Sequence, residues 1–148
     1  IKILLSQVFL SEQEQRQVVY AIEQAEKRTS GEMRLHIEPR CKGDVMDRAA
    51  YIFEKLEMHK TELRNGVLFY VAYEDKKVAI LGDAGINAKV PEHFWDSVYA
   101  IFRDEFSKGN YVAGLEKAIA EAGEQLATHF PYQSNDTNEL SNEISFDV

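Results

Sequence analysis

The stretch "RNGVLFYVAYEDKKVAILGDAGIN", residues 64–87, decides how the rest of the chain must be arranged. Asn65-Gly66 is a turn signal. Residues 67–73 are apolar almost throughout, which marks a central strand covered on both faces. "EDKK" makes a polar turn, and "VAIL", residues 78–81, returns as the antiparallel partner of a hairpin. The hairpin then ends in Gly82-Asp83-Ala84-Gly85, where one acid sits between two glycines. A strand buried on both sides needs helices above and below it, so the flanking sequence has to supply them.

It does. Upstream, Ser11 followed by Glu14 fits a capping box, and Val18, Val19, Ile22 and Ala25 recur at helical spacing until Gly31 stops the run. "EMRLHIE", residues 32–38, alternates Met33, Leu35 and Ile37 against Glu32, Arg34, His36 and Glu38, the pattern of a strand with one polar side. Asp44 suits an N-cap, and Ala49, Ala50, Phe53 and Leu56 form the stripe of a second helix. Downstream, Pro91 suits the first turn of a helix carrying Phe94, Trp95, Val98, Ile101, Phe102 and Phe106. "SKGNY" breaks that helix, and Leu115, Ile119, Ala122 and Leu126 carry a last one. The order α-β-α-β-β-α-α predicts an α/β fold, a three-layer αβα sandwich with a small mixed parallel/antiparallel sheet. Residues 1–131 form one domain in this reading. Residues 132–148 are polar and acidic with isolated Leu140, Ile144 and Phe146, and are expected as a flexible C-terminal tail.

A chain of 148 residues suits one core, and 45% hydrophobic content is ordinary for a folded domain. A formal charge of −8 argues against a nucleic-acid partner, which needs a basic patch, and suits cation binding. Cys41 is the single cysteine, so no internal disulfide or cysteine-rich zinc site can form. No stretch approaches the roughly 20 apolar residues of a membrane span. The opening "IKILLSQVFL" turns polar at once. The expectation is a soluble, cytoplasmic domain.

A strand–helix–strand unit normally gives a parallel pair, which sorts the loops between the two ends of the sheet. One end, here the upper, gathers residues 30–32, 59–65 and 82–87. The lower end gathers residues 38–44, the "YEDKK" turn and the corner at 104–110. The upper end thus collects Glu32, His59, Thr61, Glu62, Asn65, Asp83 and Asn87, an oxygen-rich set apart from the histidine. Hard cations such as Ca2+ or Mg2+ take such ligands. Asp83 is the foremost candidate, with Asn87, Glu32, Glu62 and His59 beside it, while Asp44, with Glu38 and Asp47, marks a second candidate at the lower end. The competing reading is that Asp83 and Asn87 only satisfy backbone N–H groups in a turn.

Motif searches for enzymes are largely negative: no phosphate loop, dinucleotide fingerprint or H-E-x-x-H sequence occurs, and no G-x-S-x-G elbow. "SGEMRLHIE", "RNGVLFYVAYEDKKVAILGDAGIN" and "FRDEFSKGNYVAGLEKAI" together resemble the TPM domain family, over about Ser11 to Pro131. That resemblance implies an αβα sandwich, a divalent-cation site in some members and an acid phosphatase activity in the plant branch. Many members carry Gly-Tyr-Gly-x-Glu where this chain reads Gly82-Asp83-Ala84-Gly85-Ile86-Asn87. The function expected is a non-enzymatic, divalent-cation-binding domain whose ion orders residues 59–65 against 82–87 and so regulates an unspecified protein partner's surface. The alternative is a metal-assisted acid phosphatase acting on phosphomonoesters.

Overall fold

The computed structural model describes residues 9–134 and 137–146; the apolar opening at 1–8 lies outside the described residues. Helix α1 (Glu12–Glu26) starts with the expected capping box between Ser11 and Glu14. It leads to β1 (Glu32–Glu38), α2 (Val45–Lys55) capped by Asp44, and β2 (Gly66–Ala72). Strand β3 (Lys77–Gly82) is followed by the short helix α3 (Ala84–Lys89), then α4 (Asp96–Ser107) and α5 (Tyr111–His129). The sheet order is β1-β2-β3, with β1 parallel to β2 and β2 antiparallel to β3. Strand β2 is the central one and is buried along its whole length, as its continuous apolar run requires.

Each face of the sheet builds its own core. Met33, Leu35 and Ile37 of β1, Val67, Phe69 and Val71 of β2 and Ile80 of β3 pack against α1, α4 and α5. On the opposite face Leu68, Tyr70, Ala72 and Ala79 meet Ala49, Ile52 and Phe53 of α2. The molecule is therefore the α/β sandwich expected, with α2 on one face and α1, α4 and α5 on the other, where Ile86 of the short α3 joins them.

Three features depart from the sequence reading. The segment after Gly82 is a helix capped by Asp83, not a plain turn. Helix α4 begins at Asp96, so Phe94 and Trp95 precede it in a turn, packed edge to face with ring centroids 4.7 Å apart. The expectation of a flexible tail beyond residue 131 does not hold over residues 137–146. There Ser145 pairs with His36 in a parallel bridge, its N–H donating to Leu35 O and its carbonyl accepting from Ile37 N, both at 2.9 Å. The cause is the outer edge of β1, whose unpaired backbone groups need partners. The scattered apolar residues anchor the segment: Leu140 enters the α2-side core, and Ile144 and Phe146 pack on the other.

Close approach, not turn geometry, explains one of the glycines flanking Asp83. A Cβ on Gly85 would stand 2.2 Å from Leu63 O and 2.6 Å from Arg64 O, and the Gly85 N–H donates to Arg64 O at 2.8 Å. Both obstacles are backbone, so neither can swing aside. Gly85→Ala is expected to cost about 3 kcal/mol through overpacking and a lost backbone bond, read from chemical denaturation. Gly109→Ala, where no atom lies within 4 Å but φ is +79°, should cost about 1 kcal/mol.

Candidate functional site

The upper end of the sheet brings together the loops that topology assigned to it. Glu32 N donates to Asn65 O at 3.2 Å, Asn65 Nδ2 donates to Ser30 O at 3.0 Å, and Asp83 N donates to Gly66 O at 2.9 Å. The side chains divide differently. Asp83 is buried, and its two carboxylate oxygens accept from Arg64 Nε and Nη2, each at 2.8 Å. Its Oδ1 also accepts from Ala84 N at 2.7 Å. A cation at Asp83 would have to displace a guanidinium that already fills the bidentate position. Asn87 is exposed and donates from Nδ2 to Gly82 O at 3.2 Å. Glu62 is exposed, and His59 is half-buried without a side-chain hydrogen bond or ion pair among the described residues. Asp44 lies at the other end, where its Oδ1 accepts from Met46 N at 2.9 Å and Asp47 N at 3.0 Å. The expected ligands therefore do not converge as a set, and among the described residues no group of three or more His, Cys, Asp or Glu side chains is arranged to hold a metal ion.

Glu32 instead belongs to a second arrangement at the same end. It is buried, and its Oε1 accepts from the N–H groups of Glu139 at 2.6 Å and Leu140 at 2.8 Å. Glu26, at the end of α1, accepts from Met33 N at 2.9 Å and is hydrogen-bonded by the Asn142 side chain. Glu26, Glu32 and Asn142 line one polar cavity of about 220 Å³, with Ser30, Thr137 and Asn138 around it. Burial pushes the Glu26 carboxyl up to about 7 despite the Met33 bond, and the nearby Glu32 adds to the rise. Burial likewise pushes Glu32 up to about 7, against the two N–H bonds it accepts and with help from Glu139. The Asn142 Oδ1 is shut from solvent and has no hydrogen-bond partner among the described residues. The cavity thus holds two carboxyls without a paired cation among the described residues, and Asn142, whose Oδ1 lacks a donor among them, is part of its lining. Lys27 lines it too, but forms no ion pair among the described residues.

A third acidic group shows the opposite balance. Glu38, at the end of β1, is buried beneath α2. Burial would raise its pKa, yet bonds from His36 at 2.9 Å, from Arg48 Nε and Nη2 at 2.9 Å each, and from the Tyr70 hydroxyl hold it well below the usual carboxylate range. His36 Nδ1 lies 2.8 Å from Ser145 Oγ, which completes a Ser–His–Glu chain. His36 is 0% and Ser145 6% exposed, so no substrate reaches the hydroxyl. This chain ties the 137–146 segment to the sheet.

The fold and its ends can now be compared with known proteins. The family model of the TPM domain matches residues 6–125. The chain belongs to the TPM domain family. A solved structure, the NMR structure of the BA42 protein from the psychrophilic bacterium Bizionia argentinensis, matches this TPM domain at 46% identity with a TM-score of 0.89. The match covers 94% of this chain and 96% of that one. A comparison with curated proteins found no match. Among the described residues of this TPM domain, no helix is long and apolar enough to cross a membrane.

Sequence reasoning missed Glu26, Asn142 and the Glu38 network. Glu26 carried a readable signal, since it falls four residues after Ile22, on the stripe that α1 buries. Asn142 carried none, because its place depends on a contact more than a hundred residues away. The Glu38 network sets an acid limit on stability. A carboxylate with a depressed pKa stabilises the folded state above its unfolded value and loses that contribution as pH falls. Glu38→Gln is expected to destabilise the domain by about 3 kcal/mol at pH 7, because it leaves Arg48 without its buried partner. Denaturation at successive pH values should show that deficit shrinking below about pH 4.5.

Proposed function

We propose that this TPM domain binds a divalent cation, Ca2+ or Mg2+, in the acidic cavity at the upper end of the sheet, with Glu26 and Glu32 as its charged ligands. The observation that carries this reading is the pair of carboxyls held up at about 7 in one cavity beside an orphaned amide oxygen. Without a cation, the pair is tolerated by holding protons. A divalent ion relieves both the burial penalty and the mutual repulsion, and it gives Asn142 Oδ1 a partner. Two carboxylates with carbonyl, amide and water oxygens make a sufficient donor set for either ion. The cation site implied for some relatives supports the same class of function at a different set of residues from the turn at Asp83.

Such an ion has a structural consequence. Glu32 holds Glu139 and Leu140, and Glu139 Oε2 accepts from Glu62 N at 3.1 Å, so the cavity adjoins both the 59–65 connection and the 137–142 segment. Binding fastens these to β1 and presents a more ordered surface to a protein partner, which makes the domain regulatory rather than catalytic. A metal-assisted phosphatase would need a basic clamp at the same cavity. Lys27 is the only Lys or Arg among its described lining residues, and one lysine does not make such a clamp.

The pH dependence has a definite sign. Carboxyls raised from 4.5 to about 7 stabilise the folded state most below pH 4.5, and that contribution is lost as pH rises toward 7. Protons and cation compete, so affinity must climb through the same range. In the chelator-stripped protein, Ca2+ or Mg2+ should produce saturable amide shifts at Glu26, Glu32, Met33 and residues 138–142, with affinity about tenfold or more higher at pH 8 than at pH 6. Glu32→Gln should abolish the shifts and Asp83→Asn should leave them. Shifts gathered at Arg64, Asp83 and Ala84 would put the ion at the turn, and no saturable shift at either ion would end the proposal.

A further inference from the structure

The lower end of the sheet carries a groove that has no part in the cation reading. It measures about 740 Å³ and runs between the β2–β3 turn and the corner joining α4 to α5. Its walls are apolar and aromatic: Phe102, Phe106 and Tyr99 from α4, Tyr111 from α5, and Phe9 lying flat on Tyr73 with ring centroids 4.6 Å apart. Pockets of roughly 300–1,000 Å³ with apolar walls and a few polar groups are of small-molecule size.

The charge around the groove is the second observation. Lys76, Lys77, Arg103 and Lys108 line it, and no Asp or Glu does among the described residues, although the chain has 25 acidic against 17 basic residues. Lys77 is engaged by Cys41 O at 3.5 Å and Gly43 O at 3.3 Å, and Lys108 by Asp104 at 3.3 Å. Lys76 and Arg103 are exposed and have no side-chain partner among the described residues. A basic rim on a molecule of charge −8 is the reverse of what its composition favours, and it focuses anions toward an apolar trough. The Tyr73 hydroxyl beside the groove is closed to solvent and has no hydrogen-bond partner among the described residues.

We propose that this groove binds a single-chain carboxylate amphiphile of the fatty-acid class, its apolar tail between Phe102, Phe106 and Tyr111 and its carboxylate at Lys76 and Arg103. The apolar walls account for the tail, and the two uncommitted cations account for an anionic head over a neutral one. The two cations come from different elements, the β2–β3 turn and α4, so the head group bridges them as it enters. Long-range attraction is screened at the rim, so affinity falls as salt rises.

The test uses the full chain, sodium dodecanoate below its micelle concentration, and dodecan-1-ol as the neutral probe of equal length. Dodecanoate should give saturable amide and aromatic shifts at Tyr73, residues 76–78, Arg103 and residues 107–109, with dodecan-1-ol about tenfold weaker or worse. The double variant Lys76→Glu with Arg103→Glu changes only exposed side chains and should weaken dodecanoate about tenfold while leaving dodecan-1-ol unchanged. Equal affinity for both probes would remove the anion from the proposal and overturn it. So would the absence of saturable shifts, concentration-dependent shifts of the groove without ligand that reveal a second copy seated there, or nuclear Overhauser contacts from residues 1–8 to Phe102 and Tyr111 showing that the chain fills its own groove.

Discussion

Everything in this fold follows from one strand that cannot meet water on either side. Strand β2 is buried at every position, so the chain must spend helices on both faces of a sheet only three strands wide. A sheet so narrow has almost as much edge as interior, and its exposed backbone groups have to be satisfied locally. On β1 they are met by the Glu26 carboxylate at Met33 N and by the main chain of Ser145. On β3 the Tyr99 hydroxyl accepts from Ile80 N at 2.8 Å. Polar groups that serve as edge partners are thereby drawn into half-buried positions. That is why the buried carboxylates Glu32, Glu38 and Asp83 stand at the ends of the strands of this sheet.

Four carboxylates at those margins are buried or half-buried, and their surroundings answer that burial in different ways. Glu38 has Arg48 in bidentate contact and two further donors, and remains ionised far into acid. Asp83 has Arg64 and the N-terminus of α3. Among the described residues Glu26 and Glu32 are met by backbone N–H groups, the Asn142 amide and the Glu139 carboxyl, none of them a cation, and neutral donors do not offset the burial of two adjacent negative charges. The presence or absence of a guanidinium separates the cases. It also reverses the order of candidates drawn from sequence, in which the acid between glycines looked the freest to take a cation. The glycine at position 85 is there because the chain passes against the backbone of Leu63 and Arg64, and that same passage delivers Arg64 to Asp83.

The sequence carried the local and near-local parts of this arrangement clearly. The capping box of α1, the Asp44 cap of α2, the stripes of both helices, the continuous run of β2, the hairpin to β3 and the parallel pairing of β1 with β2 all rest on contacts within a few tens of residues, where periodicity and turn chemistry speak directly. The grouping of loops at the two ends of the sheet followed from the same rules. What was not legible depends on pairings between distant segments. The alternation in "EMRLHIE" read as one dry and one wet face, yet the polar face is also buried, because α2 supplies Arg48 and the chain end supplies Ser145. No periodicity in "NELSNEISF" distinguishes a segment that will lie along a strand edge from one that will not. Only the edge itself, created elsewhere in the chain, makes the difference.

That late segment gives the domain a physical link between its two ends. Residues 139 and 140 donate to Glu32 at the start of β1, and Ser145 reaches His36 and, through it, Glu38 at the finish. Strand β1 is held in a close-packed core and transmits little displacement, while the segment beside it is held by polar bonds as well as by the packing of Leu140, Ile144 and Phe146. A change of charge at Glu26 and Glu32 therefore acts first on the hold at residues 139–142, and only then on the Ser145–His36 contact. The lower groove lies past Glu38, bordered by the turn that follows β2. Because β2 itself is locked on both faces, the edge segment, which donates to Glu32 from Glu139 and Leu140, is tied directly to the upper cavity without passing through the core.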